Sequence, residues 1–205
     1  IAAGLYLAAA LAAWLGILLE APRASRAAGW LLATGAAVHG FTFFTFHLEP
    51  SPPPITDLPA AVSFMAWIAA LALLVFLQRA RLTALIGLVA PAAFLGAFFA
   101  ALRLPHSPTA PIVGAASSWP HLHVLLSSMG LALLGIACGA GLAFLAVDRA
   151  LKRRRRMRPR WPSLEALDRV NRVALAMGFF LLTLGVVTGF LWVESASGRA
   201  WTGSA

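Results

Sequence analysis

Six stretches of this sequence, 1–19, 28–46, 60–77, 82–102, 121–147 and 173–193, contain no Asp, Glu, Lys or Arg. A bilayer's hydrocarbon core is crossed by about 20 apolar residues of helix, because in lipid each backbone N–H and C=O must be paired within its own segment. The sequence therefore predicts an all-α polytopic transmembrane helical bundle, one transmembrane domain over 1–205 with six spans. Composition closes the alternatives. Sixty per cent of the residues are hydrophobic and 11% charged, whereas soluble domains run at about 45–50% and about 25%. A soluble globular fold and a disordered chain are both excluded. A secretory signal is the competing reading of 1–19, but no basic n-region and no convincing cleavage site accompany it.

The net charge of +9 is distributed by span number. Segment 20–27 carries Arg23 and Arg26, 78–81 carries Arg79 and Arg81, and 148–172 holds Lys152, the run Arg153 to Arg156, Arg158 and Arg160. Segment 47–59 has Glu49 and Asp57 without a cation, and 103–120 has only Arg103. The positive-inside rule places the three basic connections in the cytoplasm and both termini of the chain outside. The basic run reads as a topology anchor beside anionic head groups. No aromatic residue interleaves it before Trp161, so nucleic acid is not an expected partner. Ser163 is placed to cap a helix with Glu165 in its first turn, and Leu164, Leu167 and Val170 share a face. A short interfacial helix within the cytoplasmic segment 148–172, leading into the last span, is expected. The prolines at 50 and 52–54 make that external segment extended, and 104–120 reads as a loop. Trp119 and Trp192 mark outer boundaries, Trp30 and Trp161 inner ones.

Chemistry within the spans falls to histidine. The lone Cys138 excludes an intramolecular disulfide, a paired redox thiol and a thiolate zinc site. The absence of charge within the spans argues against a proton pump or ion pathway. All five histidines, His39, His47, His106, His121 and His123, fall in the outer half of this topology. His39 lies about 12 Å below His47 along the second span, where an imidazole needs a partner. That partner is either a ligand or a neighbouring helix's hydroxyl or carbonyl. His123 begins a stripe through Ser127, Gly130, Leu134, Cys138 and Gly141, the small-residue pattern of a close helix contact, and so points into the bundle. His121 is about 200° away on the same helix and cannot share that face; His47 and His106 read as solvated boundary or loop residues. Zinc would want four ligands. Haem needs one or two axial imidazoles in an apolar, aromatic slot, and Phe41, Phe43, Phe44 and Phe46 surround the His39 stretch. His39 and His123 differ by about 6 Å in nominal depth, which permits the pair without demanding it. The GxxxG patterns at 135–139 and 185–189 are read as packing within the chain. No serine-hydrolase, P-loop or dinucleotide signature is present.

An ordered set of segments carries a family resemblance: Trp119-Pro120-His121-Leu122-His123-Val124-Leu125-Leu126-Ser127-Ser128, then a long apolar helix and the basic segment, then Pro162-Ser163-Leu164-Glu165-Ala166-Leu167-Asp168-Arg169, then Gly178-Phe179-Phe180-Leu181-Leu182-Thr183-Leu184-Gly185 and Thr188-Gly189-Phe190-Leu191-Trp192. The chain resembles the cytochrome c assembly protein family, the CcsA/CcmC/HemX-type haem-handling membrane proteins, closest to the HemX/YpjD-like members. The resemblance implies a multi-pass protein of the bacterial inner membrane that binds b-type haem non-covalently and acts in cytochrome c-type biogenesis, with other maturation proteins or the apocytochrome as partners. His39 and His123 match the family's histidines and are the implied haem-iron axial ligands, with His47 and His121 secondary. Larger members carry a tryptophan-rich external loop and further spans. Residues 201–205 stand where that loop would develop, so the chain reads as a C-terminally truncated fragment of an eight-span protein. No bond-making chemistry is expected of it. The reading set against this is a haem-free scaffold or regulator working through the basic segment; a small-molecule transporter is third.

Overall fold

The computed structural model describes residues 1–46, 48, 55–79, 82–103, 119–153 and 162–197. They form six helices in chain order, α1 (Ala2–Leu18), α2 (Pro22–Phe46), α3 (Leu58–Arg79), α4 (Thr83–Arg103), α5 (Trp119–Lys152) and α6 (Leu164–Ser197), with no strand among the described residues. Helices α2 to α6 are long and apolar enough to cross a membrane. At 17 residues, α1 rises about 26 Å and falls just short of the hydrocarbon thickness.

Two connections differ from the sequence reading. Arg23 and Arg26 lie on α2 itself, not in a loop, because Pro22 occupies the helix's first position, where its missing N–H costs nothing. The chain turns between α1 and α2 through Glu20 at φ 52°. The separate interfacial helix does not exist either: 164–172 is the first part of one continuous helix, α6. Ser163 does cap it, accepting from the Ala166 N–H at 3.2 Å. Glu165–Arg169 and Asp168–Arg172 pair at 2.8 Å along the exposed side. On the other side Leu167, Val170 and Ala174 join the buried core. With that face already occupied by protein, it has no reason to lie on the lipid surface.

Packing follows the logic of lipid, where apolar contact alone does not drive helices together and small residues let backbones approach. α1 packs on α2 and α4, α3 on α4 and α5, and α5 on α6 along its length. Ala9, Ala10, Ala13, Ala28, Ala70, Ala90, Ala93 and Ala140 are all buried, filled in by Leu73, Leu85, Ile86 and Ile136. The large side chains Trp30, Phe41, Leu95, Phe179 and Phe180 are exposed. A surface this apolar suits lipid and would be a liability in water. Glu20 after α1, Ser25 early on α2, Thr83 at the start of α4, Val147 late on α5 and Pro162 before α6 line one cavity. The helix ends that carry Arg23, Arg26, Arg149 and Lys152 therefore gather at one end of the bundle, as the charge alternation requires.

Candidate functional site

His39 sits on the inner face of α2 and is 4% exposed. Its Nε2 lies 2.8 Å from the Ser63 hydroxyl of α3 and its Nδ1 3.2 Å from the Tyr6 hydroxyl of α1. The ring stacks on Phe43, one helical turn along, at 5.3 Å between centroids and 14° between planes. Phe43 in turn meets Phe64 and Trp67, and the Trp67 indole N–H donates to the Ala36 carbonyl at 2.8 Å. A neutral imidazole offers one donor and one acceptor, and hydroxyls serve as either. His39 is thus fully bonded and ties three helices together. Ser63→Ala is expected to lower stability by about 1–3 kcal/mol, because it strands a buried ring nitrogen. The measurement is the thermal midpoint of the detergent-solubilised protein, and an unchanged midpoint would contradict the geometry.

His123 lies one turn into α5 and faces α6, half-buried. Its Nδ1 is 2.8 Å from the Gly185 carbonyl oxygen. A carbonyl only accepts, so Nδ1 carries the hydrogen and Nε2 the lone pair. Nε2 makes no hydrogen bond among the described residues. The Ser127 hydroxyl is 3.5 Å from Nδ1, and the Trp192 ring stands 6.0 Å from the imidazole. Close approach makes this possible: a Cβ added at Gly189 would sit 2.7 Å from the His123 Nδ1, and one at Gly185 2.5 Å from the Ser127 hydroxyl.

The two imidazoles are not in contact. α2 packs on α1, α3 and α4, while His123 is held between α5 and α6, and their sets of contact residues do not overlap. His121 is exposed, on the other side of α5; His47 and His106 lie outside the described residues. The small-residue stripe holds at Ser127, Gly130 and Leu134, which meet Gly185, Leu182 and Gly178 of α6. Cys138 departs from it and is exposed, because a straight helix turns a four-residue spacing gradually off the seam. Of the surrounding phenylalanines only Phe43 meets His39, whereas Phe41 and Phe44 face outward. Tyr6 and Ser63 escape sequence reasoning as partners of His39; the one signal is that Tyr6 is the chain's only tyrosine. Trp192 reads in the sequence as a boundary anchor, yet it also flanks His123.

As donors for an iron-bound porphyrin the two histidines differ. His123 fits an axial ligand, since a bonded Nδ1–H fixes the tautomer and orients the free Nε2. At His39 both ring nitrogens are engaged, so ligation through either would require it to give up a hydroxyl. No group of three or more His, Cys, Asp or Glu suited to a metal ion occurs among the described residues.

Fold and site together define a multi-pass helical membrane protein that holds one imidazole, with a free Nε2, in the seam of a long helical hairpin. Residues 55–202 match the model of the cytochrome C assembly protein family, and the chain belongs to that family. It is 28% identical over 180 residues to the cytochrome c biogenesis protein CcsA of Prochlorococcus marinus strain NATL2A, covering 73% of this chain and 57% of that protein. To CcsA of Parasynechococcus marenigrum strain WH8102 it is 30% identical over 176 residues, with 73% and 57% covered. To CcsA of Guillardia theta it is 22% identical over 169 residues, with 73% and 56% covered. The chain therefore spans a little over half the length of these relatives. No solved structure matches it.

Proposed function

We propose that this chain is a haem-handling membrane component of cytochrome c biogenesis, holding b-type haem non-covalently at the end of the bundle opposite the basic connections. His123 is its primary axial ligand. The observation that carries this reading is the Gly185 carbonyl's hold on His123 Nδ1, which leaves Nε2 as a directed lone pair beside Trp192. His39 is the second ligand of the proposal. To serve, it exchanges the Ser63 or Tyr6 hydroxyl for the metal. Haem is here cargo bound for an apocytochrome, and the chain's own part is to bind and orient it. With one cysteine, the chain has no thiol pair to reduce an apocytochrome itself. By the positive-inside rule the basic end is cytoplasmic and the histidines lie toward the outer face; the bacterial inner membrane is the location that the family resemblance implies. The test is a pyridine haemochrome assay on protein purified from membranes. A stoichiometric b-type signal is expected, and its absence from haem-replete cells overturns the reading.

One observation favours a second reading, a haem-free scaffold or regulator. Helices α5 and α6, 34 residues each, run about 51 Å and outreach the hydrocarbon core, so the helix ends that carry Arg149, Lys152, Arg169 and Arg172 extend beyond the membrane surface. Replacing Arg153 to Arg156 by Gln separates the readings. Haem content stays within about twofold if the histidines hold it, since surface cations act locally. A collapse of maturation activity at constant haem content would favour the regulator.

A further inference from the structure

At the basic end, far along α5 from His123, lies a cavity of about 340 Å³, within the size range of small-molecule sites. Its walls are apolar: Trp14 and Ile17 of α1, Ala84 and Leu88 of α4, and Leu142 and Ala146 of α5. Trp14, Leu88 and Leu142 also expose 40% or more of their surface to the outside, so the cavity is a groove open to the surrounding lipid. α4 packs on both α1 and α5 and so forms its floor. The Trp14 indole N–H donates to the Gly87 carbonyl at 3.1 Å and fixes one wall. The polar lining, Glu20, Ser25 and Thr83, is confined to helix ends and the turn after α1, which marks the mouth.

Charge around that mouth is unbalanced. Asp148 pairs with Lys152, Glu165 with Arg169 and Asp168 with Arg172, each at 2.8 Å. Arg23, Arg26, Arg149 and Arg153 have no ion pair among the described residues. Arg149 stands three residues beyond Ala146, close to the same face of α5, and Arg26, exposed and a step of about 100° round α2 from Ser25 of the lining, has a side chain long enough to reach back to the mouth. Against them the lining sets the Glu20 carboxylate. A molecule with an apolar chain for the groove and a negative head for these arginines is an anionic phospholipid, and basic pockets between spans on the cytoplasmic side suit that chemistry. We infer that the α1/α4/α5 groove binds one anionic phospholipid of the adjacent leaflet, with an acyl chain against Trp14 and its phosphate at Arg26 and Arg149.

Trp14 reports on the site. The full chain is reconstituted in vesicles containing equal fractions of phosphatidylglycerol or phosphatidylcholine with brominated acyl chains, and the Trp14 signal is the difference between the unaltered protein and Trp14→Phe. Brominated phosphatidylglycerol is expected to quench Trp14 at several-fold lower mole fraction than the phosphatidylcholine analogue. Arg26→Gln and Arg149→Gln should each erode that preference by about fivefold, the worth of one cation near an anionic surface. Ala146→Phe, which fills the groove, should weaken quenching by both lipids. Equal quenching by the two lipids in the unaltered protein overturns the proposal, and that comparison needs no variant of the groove's cations to fold. Loss of the preference for brominated phosphatidylglycerol once haemin is added would give the groove to a porphyrin and overturn it as well.

Discussion

His123→Ala is expected to abolish, or lower by at least tenfold, the Soret absorbance of the purified protein, because it removes the imidazole whose free nitrogen is already directed. The geometry sets the graded outcomes around that loss. Gly189→Ala keeps the imidazole but drives a methyl group to 2.7 Å from its Nδ1, so the ring must rotate away from the Gly185 carbonyl. Disturbing an orienting contact of this kind weakens metal binding by about 10–100-fold, and haem retention through detergent washing should fall accordingly. His121→Ala, on the exposed side of the same helix, should leave the spectrum unchanged. His39→Ala should convert a bis-imidazole spectrum to a mono-imidazole one if His39 completes the coordination. If instead it only tightens the bundle, the spectrum stays and the thermal midpoint falls. An unaltered Soret band in His123→Ala would remove this residue from the site.

Gly130→Leu is expected to separate α5 from α6. A Cβ at Gly130 would meet the backbone of Leu182 at 2.6 Å from its nitrogen and 2.8 Å from its Cα. No rotamer relieves a collision with backbone, so the helices must part. Even Gly130→Ala should cost about 1–3 kcal/mol, the usual penalty for overfilling a close-packed contact, and leucine more. Gly178 faces the same seam, its added Cβ lying 3.1 Å from the Gly130 carbonyl oxygen. The double variant Gly130→Ala/Gly178→Ala should therefore cost less than the sum of the singles, since helices already parted admit the second methyl group cheaply. Gly135→Ala is the control: nothing lies within 4 Å of its added Cβ, and removing a mid-helix glycine should stabilise by about 0.5–1 kcal/mol. Thermal midpoints of these variants and of Gly178→Ala alone decide it. Because Gly185 holds His123, parting this seam should also release haem, which links stability to the site.

The same seam shows how far the sequence reaches. The stripe His123, Ser127, Gly130, Leu134 is legible because a helix repeats every 3.6 residues, so spacing alone puts these residues on one face. Of the α6 residues they meet, only Gly185 and Gly189 stand in a GxxxG pattern, which by itself names no partner helix, while Leu182 and Gly178 carry no such signal. For His39 the sequence shows that a partner is needed and stops there. Tyr6 lies 33 residues away and Ser63 24 residues away, on helices whose rotation no local pattern fixes. The continuous α6 was missed for a related reason: an amphipathic pattern over 164–172 is the same whether the apolar face meets lipid or protein.

The spans, the sorting of cations to one end and the inward face of α5 were decided by the sequence, since they depend only on how many apolar residues follow one another and at what period. Tertiary structure alone decided that His39 is enclosed by two hydroxyls while His123 keeps a nitrogen open. That difference rests on which helices touch and at what rotation, and in lipid this is settled by backbone-to-backbone fit between small residues, not by the amount of apolar surface each helix carries.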